Sequence, residues 1–199
     1  MYWTEFVSVY LKYFFILTPF FILAVFLAIT EHETEKVRRA LAIRVTFGVV
    51  IISLVLYWFG QTLFTILGIT VDAFRIGAGA LLFISAVSLV QGKIQLPTAK
   101  SSIMELAIVP LAIPMTIGPG SVGALILMGN AMPSIADGLV VSCGLTAASL
   151  SVGVLLWTSS SIERVIGANG ISMLSKITGL ILASLSCQMM FTGIAAFLK

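Results

Sequence analysis

The sequence predicts an all-α protein that crosses a membrane six times. Of its 199 residues, 59% are hydrophobic and only 10% are charged, and the mean hydropathy is +1.14. That composition has too little polar surface to cover a water-soluble globule. The uninterrupted apolar runs are longer than barrel strands, and hydrocarbon requires every backbone amide to find an internal partner, so the spans are predicted to be helices.

Six windows without charged residues define the predicted spans. They run over Tyr13–Thr30, Val45–Leu67, Ile76–Gly92, Leu106–Ala136, Gly138–Ile162 and Ile177–Leu198. Each reaches the roughly 17 to 25 residues that a helix needs to cross a hydrocarbon core of about 30 Å. The polar segment Glu31–Arg39 between the first two spans is expected to be a solvated loop.

The first and fourth spans are predicted to be broken helices. The fourth would measure about 46 Å as one straight helix, which exceeds the thickness of the core. It contains Pro110, Pro114 and the triplet Gly118-Pro119-Gly120. Proline removes a backbone donor and clashes with the preceding turn, while glycine permits the bend. Pro19 interrupts the first span in the same way.

The basic residues predict the orientation, because short cytoplasmic loops are enriched in lysine and arginine. With the N-terminus outside, eight basic residues fall on the inner side: Lys36, Arg38, Arg39, Arg44, Lys93, Lys100, Arg164 and Lys176. Only Lys12, Arg75 and Lys199 then lie outside. The sequence therefore predicts a multi-pass protein of the bacterial inner membrane with both termini outside the cytoplasm.

The chain is predicted to be one transmembrane domain, residues 1–199, made of two related halves, residues 1–98 and 99–199. Pro19 corresponds to Pro119, and later pairs follow in order along the chain at offsets of 99 to 101 residues. These pairs are Trp58 with Trp157, Gly68 with Gly167, Arg75 with Lys176, and Gly92 with Gly193. Because each half has three spans, the second half enters the membrane from the opposite side, which predicts an inverted repeat.

Other functional classes find little support in the composition. The basic residues are scattered between apolar runs rather than gathered on one face, so no nucleic-acid partner is predicted. Cys143 and Cys187 lack CxxC spacing, and His32 is the single histidine. We therefore predict no metal and no cofactor.

The candidate binding site follows from the predicted breaks. All acidic residues lie near span ends or in loops, so no carboxylate relay is predicted at the bilayer centre. A broken helix frees backbone groups that are tolerable in lipid only when they are buried or line a cavity. The candidate substrate-binding residues are Thr18, Pro19, Gly118, Pro119, Gly120, Gly77, Gly79, Thr178 and Gly179. The alternative for the last four is helix packing, since small residues let backbones approach.

One motif resembles a known family. The phrase Val109-Pro110-Leu111-Ala112-Ile113-Pro114, followed by Gly118-Pro119, is similar to the second-half signature of the MarC family of bacterial integral membrane proteins. Lys36-Val37-Arg38-Arg39-Ala40 resembles its first inner loop, and Gly179-Leu180-Ile181-Leu182 resembles its last span. The resemblance implies six spans and membership of the wider LysE-type exporter superfamily. Some SnatA-like relatives are associated with glycine and alanine.

The first half departs from the family pattern. The family motif usually has Asp or Asn before the first proline, a glycine two residues on and a second proline. This chain reads Thr18-Pro19-Phe20-Phe21-Ile22-Leu23-Ala24, so only the first proline is kept. A side-chain carboxylate or amide has become a hydroxyl at that half-site.

Three functional hypotheses follow. We expect a transporter of small neutral amino acids, glycine or alanine, with a small-molecule substrate and the lipid bilayer as its partners, and we do not expect an enzyme. The alternatives are a membrane thiol-redox relay through Cys143 and Cys187, and a channel or structural membrane subunit without transport activity. The sequence leaves open whether the chain forms a homo-oligomer.

The predicted orientation is testable with reporter fusions. Alkaline phosphatase fused after Lys199 should be active, because the uneven distribution of basic residues places the C-terminus outside the cytoplasm. An inactive phosphatase, together with a fluorescent C-terminal green fluorescent protein fusion, would reverse the orientation.

Overall fold

The computed structural model describes residues 2–68, 70–92, 117–130 and 134–198, and these residues form seven helices. In chain order they are α1 (Tyr2–Ile16), α2 (Pro19–Ile29), α3 (Glu35–Leu67), α4 (Val71–Val90), α5 (Pro119–Asn130), α6 (Ile135–Trp157) and α7 (Ser159–Phe197). The predicted all-helical class is confirmed.

Four of these helices, α3, α4, α6 and α7, are long and apolar enough to cross a membrane. The pair α1 and α2 passes the same test together, and α5 is a shorter apolar helix of 12 residues. The described residues thus contain four spans, or five when the bent pair counts as one. A sixth span would need residues before Ile117, and the predicted breakers Pro110 and Pro114 lie outside the described residues.

The predicted break in the first span is confirmed. α1 and α2 meet at an angle of 41° across Leu17 and Thr18, and Pro19 is the first residue of α2. The span begins earlier than predicted, at Tyr2 rather than Tyr13. A charge-free window stops at Lys12, whereas a helix continues through an exposed lysine.

Other predicted boundaries are wrong as well. The segment Glu31–Arg39 is not all loop, because α3 begins at Glu35 and Arg39 pairs with Glu35 along the helix at 3.1 Å. The fifth span ends at Trp157, not Ile162. Thr158 interrupts the helix there and bonds its hydroxyl back to the Val154 carbonyl. An apolar window without proline or charge does not reveal such an end.

Glycines set the close contact between α4 and α7, which run antiparallel. A Cβ added at Gly79 would lie 3.1 Å from the Ser186 carbonyl oxygen, and one at Gly179 would lie 3.0 Å from the Ala86 carbonyl oxygen. Near the other end of the pair, Gly193 approaches the Asp72 backbone in the same way. Small residues allow such approach in lipid, where van der Waals packing drives helix association.

Hydroxyl groups connect α1 and α3 to each other and to α6. Tyr10 bonds to Ser151 at 3.0 Å, and the Trp58 indole donates to Ser142 at 3.0 Å. The buried Tyr13 hydroxyl bonds to Ser53 of α3. Each such bond contributes only about 0.6 kcal/mol on average in a membrane protein. These bonds therefore set the register of the helices more than they stabilise the fold.

The contacts between spans follow a regular scheme. The first span, α1 with α2, contacts α6 and α7, and α5 contacts α3 and α4. The remaining major contacts join α3 to α6 and α4 to α7. If the two halves exchanged places, with α5 in place of α1–α2, α6 in place of α3 and α7 in place of α4, the same set of contacts would result. Gly68 and Gly167, which the sequence comparison pairs, both have positive φ, 64° and 73°. The inverted repeat itself stays a prediction.

The close approach of α4 and α7 is testable by adding side-chain volume. Gly79→Val should lower the stability of the purified protein by about 1 to 3 kcal/mol, because it overpacks the contact with Met190 and Ser186. Gly77→Val is the matched control, since an added Cβ at Gly77 meets nothing within 4 Å. Equal thermal unfolding of the two variants in detergent would show that α4 and α7 are not held at this distance.

Candidate functional site

The first break is a sharp local turn. The Leu17 amide donates to the Tyr13 carbonyl at 2.9 Å, and the Thr18 amide donates to the Phe15 carbonyl at 3.0 Å, which ends α1. Thr18 then adopts the left-handed conformation, with φ 50° and ψ 56°, and Pro19 starts α2. Proline suits the first position of a helix because its missing N–H has no partner there anyway.

Thr18 is in a conformation that its side chain disfavours. A β-branched residue at positive φ is an outlier, and such a conformation costs of the order of 1 to 3 kcal/mol. Asparagine and aspartate tolerate the left-handed region better than threonine does. This gives a physical reason for the Asp or Asn that the resembling family has at this position. Thr18 is only 9% exposed, so the surrounding packing holds it in place.

The second break shows the same arrangement at the start of α5. Pro119 is the first helical residue, and the Val122 amide donates to the Gly118 carbonyl at 3.0 Å. At the first break, the Ile22 amide donates to the Thr18 carbonyl at the same distance. The predicted preceding half of this span lies outside the described residues, so its break stays a prediction.

The structure brings the first break and the start of α5 together. The Ser121 hydroxyl, in the first turn of α5, donates to the Ile16 carbonyl at the end of α1, with 3.3 Å between the oxygens. Ser121 is 4% exposed. A Cβ added at Gly120 would lie 2.7 Å from Cβ of Leu82, so α5 also touches α4 here. We call this contact the central junction, defined by Ile16–Phe21 and Ile117–Ser121.

The central junction combines the first amides of α2 and α5 with the carbonyl end of α1. The first amides of a helix have no preceding carbonyl to bond, and those of Phe20 and Phe21 have no partner among the described residues. The same holds for the amides of Gly120 and Ser121. Thr18 does not cap α2 with its side chain. Each helix N-terminus carries about half a positive charge and can bind an anion. The end of α1 at Ile16 carries the opposite partial charge, and its carbonyl is bonded to Ser121.

Two of the other predicted site residues flank the central junction along α4 and α7. Gly79 lies one turn before Leu82 on α4, and Gly179 packs opposite Ala86, one turn after Leu82. Both glycines are in the contact between α4 and α7 described above. The packing alternative therefore describes their contacts, and a role in binding stays a prediction.

The remaining two predicted site residues are Thr178 and Gly77, whose local surroundings do not include the central junction. Thr178 is 1% exposed, and its hydroxyl donates to the Leu174 carbonyl of its own helix at 3.0 Å. Gly77 is exposed, with open space where a Cβ would be. Their part in binding also stays a prediction.

The sequence did not point to Ser121 in the central junction or to Leu82 beside it. Ser121 directly follows the triplet Gly118-Pro119-Gly120, and its position in the first turn of a proline-started helix was a usable signal. Leu82 carried no signal, because one leucine among many in an apolar span does not indicate which neighbour it meets.

The strain at Thr18 predicts a gain in stability on substitution. Thr18→Gly should raise the unfolding free energy by about 1 kcal/mol, since glycine adopts positive φ without a steric penalty. Thr18→Asn should fall between glycine and the parent. Thermal unfolding in detergent measures the order. A Thr18→Gly protein that is less stable than Thr18→Ala would contradict the left-handed conformation.

Comparison with known proteins identifies the family. A UPF0056 membrane protein of Aquifex aeolicus is 28% identical, covering 98% of this chain and 94% of its own. Relatives from Methanocaldococcus jannaschii, at 32% with 95% of each chain covered, and Escherichia coli, at 30% with 94% and 92% covered, are similar along their length. No solved structure matches significantly. The profile described as MarC family integral membrane protein matches residues 3–198, and the chain belongs to that family.

Proposed function

We propose that this multi-pass membrane protein moves small neutral amino acids, glycine or alanine, across the bilayer of the bacterial inner membrane, with both termini outside the cytoplasm. The observation that carries the proposal is the central junction. There the first turn of α5 meets the break between α1 and α2 in a buried position, through the bond from the Ser121 hydroxyl to the Ile16 carbonyl. Broken helices that meet in this way form the substrate sites of many secondary transporters.

The free amides supply the chemistry for the substrate carboxylate. Phe20 and Gly120 are each the second residue of their helix. Backbone N–H groups at this position point out of the helix end. A carboxylate accepts from several such donors at once, and charged hydrogen bonds are roughly twice as strong as neutral ones. Backbone groups therefore do most of the binding, without a counter-charge at the bilayer centre.

The surroundings limit the size of the substrate side chain. Leu17, Ile117 and Leu82 are at most 3% exposed and give the central junction an apolar wall. Gly120 leaves no room for a Cβ of its own against Leu82. A substrate with no side chain or a methyl group suits such surroundings. The association of SnatA-like relatives with glycine and alanine suggests the same class.

The rival hypotheses differ in whether the function requires the two cysteines. A thiol relay needs Cys143 and Cys187, which lie on α6 and α7 and form no disulfide. A transporter with a backbone site does not need them. A variant with both cysteines replaced by serine should therefore keep the parent transport rate, and a channel would pass glycine without saturation.

The decisive experiment is transport of radiolabelled glycine by the purified chain in proteoliposomes. Gly118→Leu should reduce the rate by at least about tenfold, because the side chain occupies the space in which ligand approaches the backbone. Ser184→Leu is the matched control, since Ser184 is exposed on α7 and bonds only within its own helix.

The control should transport at the parent rate, with both variants inserted equally. A well-expressed Gly118→Leu protein that moves glycine as fast as the parent would place the site elsewhere. A parent chain that moves neither glycine nor alanine in either direction would overturn the proposed substrate class.

A further inference from the structure

A second feature lies beside α2, between the central junction and the end of that helix. It is a cavity of about 380 Å³ between α2, α4 and the first part of α7, with Arg38 of α3 at its edge. This volume is at the lower end of the range for small-molecule pockets. Phe21 lines the cavity two residues after Pro19, and Glu31 lines it just beyond the end of α2. The cavity therefore extends along α2 from the central junction.

Arg38 is held in place but has no ionic partner. Its Nη1 donates to the Ser160 hydroxyl at 2.7 Å, and its Nη2 donates to the Thr30 carbonyl at 2.9 Å. Its Nε is buried and has no hydrogen-bond partner in the described part of the chain. No carboxylate of the described residues lies within 4 Å of the guanidinium. A guanidinium has five N–H donors, so several remain for a ligand.

The nearest acidic residue on the same helix is already paired. Glu35 forms an ion pair with Arg39 at 3.1 Å, and it accepts a second bond from Ser160 at 3.1 Å. Arg39 is exposed and does not line the cavity. Glu35 is thus paired directly with Arg39 and is connected to Arg38 only through the Ser160 hydroxyl, while Arg38 also lines the cavity.

Two carboxylates flank Arg38 at the same cavity. Glu163 lies one turn after Ser160 on the same face of α7, and Glu31 follows Thr30 directly, so each is next to a residue that anchors Arg38. A simple anion would be repelled by the two carboxylates, and a simple cation would be repelled by the arginine. A small zwitterion satisfies both signs of charge at once.

We propose that this cavity is a second binding site, which takes the zwitterionic head of a small α-amino acid. The carboxylate accepts from Arg38, the ammonium donates to Glu163 and Glu31, and the apolar wall around Phe21 and Ile171 takes the side chain. The choice of an amino acid rests in part on the proposed function. In the predicted orientation this site faces the cytoplasm, and α2 leads from it to the central junction.

The test separates this cavity from the central junction by using a Gly118→Leu background, in which the central junction is filled. Glycine should still raise the thermal unfolding temperature of that protein in detergent. Adding Arg38→Gln should raise the glycine concentration for half-maximal protection by at least about tenfold, which corresponds to one lost charged contact. Adding Arg39→Gln, the matched control, should leave that concentration within about twofold.

Two half-ligands define the chemistry. Acetate and methylamine each carry one of the two charges of glycine, and neither should protect at concentrations where glycine does. Equal protection by acetate would make this an anion site, and equal protection by methylamine would make it a cation site. Either result overturns the proposal, as does unchanged protection by glycine in the Arg38→Gln protein.

A second variant leaves the bonds of Arg38 intact. Ala28 lines the cavity and is exposed, so Ala28→Leu fills space without breaking a bond. In the Gly118→Leu background it should also weaken protection by at least about tenfold. Protection equal to that of the background protein would contradict the site even if Arg38→Gln does not fold.

Transport by the otherwise unchanged chain distinguishes the two proposals. If the parent transports glycine and Arg38→Gln has the parent KM from both sides, the cavity site is wrong and the proposed function stands. If the parent does not transport, but Arg38→Gln removes the protection by glycine, the cavity site stands and the proposed function fails.

Discussion

The structure depends on how it satisfies the backbone where the first membrane span is interrupted. In hydrocarbon an unpaired amide or carbonyl costs several kcal/mol, so an interruption is stable only against other protein groups. Here the break between α1 and α2 lies against the start of α5, and the Ser121 hydroxyl donates to the Ile16 carbonyl at the end of α1. That carbonyl is thereby satisfied, whereas the first amides of α2 and α5 have no partner among the described residues. These amides are the donors that the proposed function assigns to the substrate carboxylate.

That arrangement explains why small residues concentrate around α4. Leu82 touches α5 at Gly120, and α7 approaches the turns on either side of it through Gly79 and Gly179. α4 therefore packs against both α5 and α7 at the level of the central junction. Packing of this kind holds the starts of α2 and α5 in fixed positions relative to each other. Donors that are already in place bind charge without having to reorient.

Much of the fold could be predicted because lipid imposes simple rules. The apolar runs predicted the spans that the described residues contain, and Pro19 predicted the confirmed bend between α1 and α2. Boundaries were less predictable: α3 starts at Glu35 within a polar segment, and α6 stops at Thr158 within an apolar one. Charge and hydropathy do not record these helix ends, because the neighbouring residues in sequence keep the same polar or apolar character.

The site was predictable only in part, for a related reason. Thr18-Pro19 and Gly118-Pro119 are local signals, since proline and glycine act on the backbone where they stand. The contact of Gly120 with Leu82 and the anchoring of Arg38 by Ser160 depend on residues far apart in sequence. In the sequence, Arg38 was only an orientation signal. The adjoining cavity, and the absence of a carboxylate partner among the described residues, give it a further meaning.

The central claim is that backbone amides at the two helix starts hold the substrate carboxylate. Solid-state NMR with glycine labelled at its carboxyl carbon and with ¹⁵N at the amides of Phe20 and Gly120 measures this directly in lipid. The account predicts dipolar coupling from both amides to the carboxyl carbon, at the separation that a hydrogen bond imposes. A carboxyl carbon coupled to arginine side chains alone, with no signal from either amide, would contradict it.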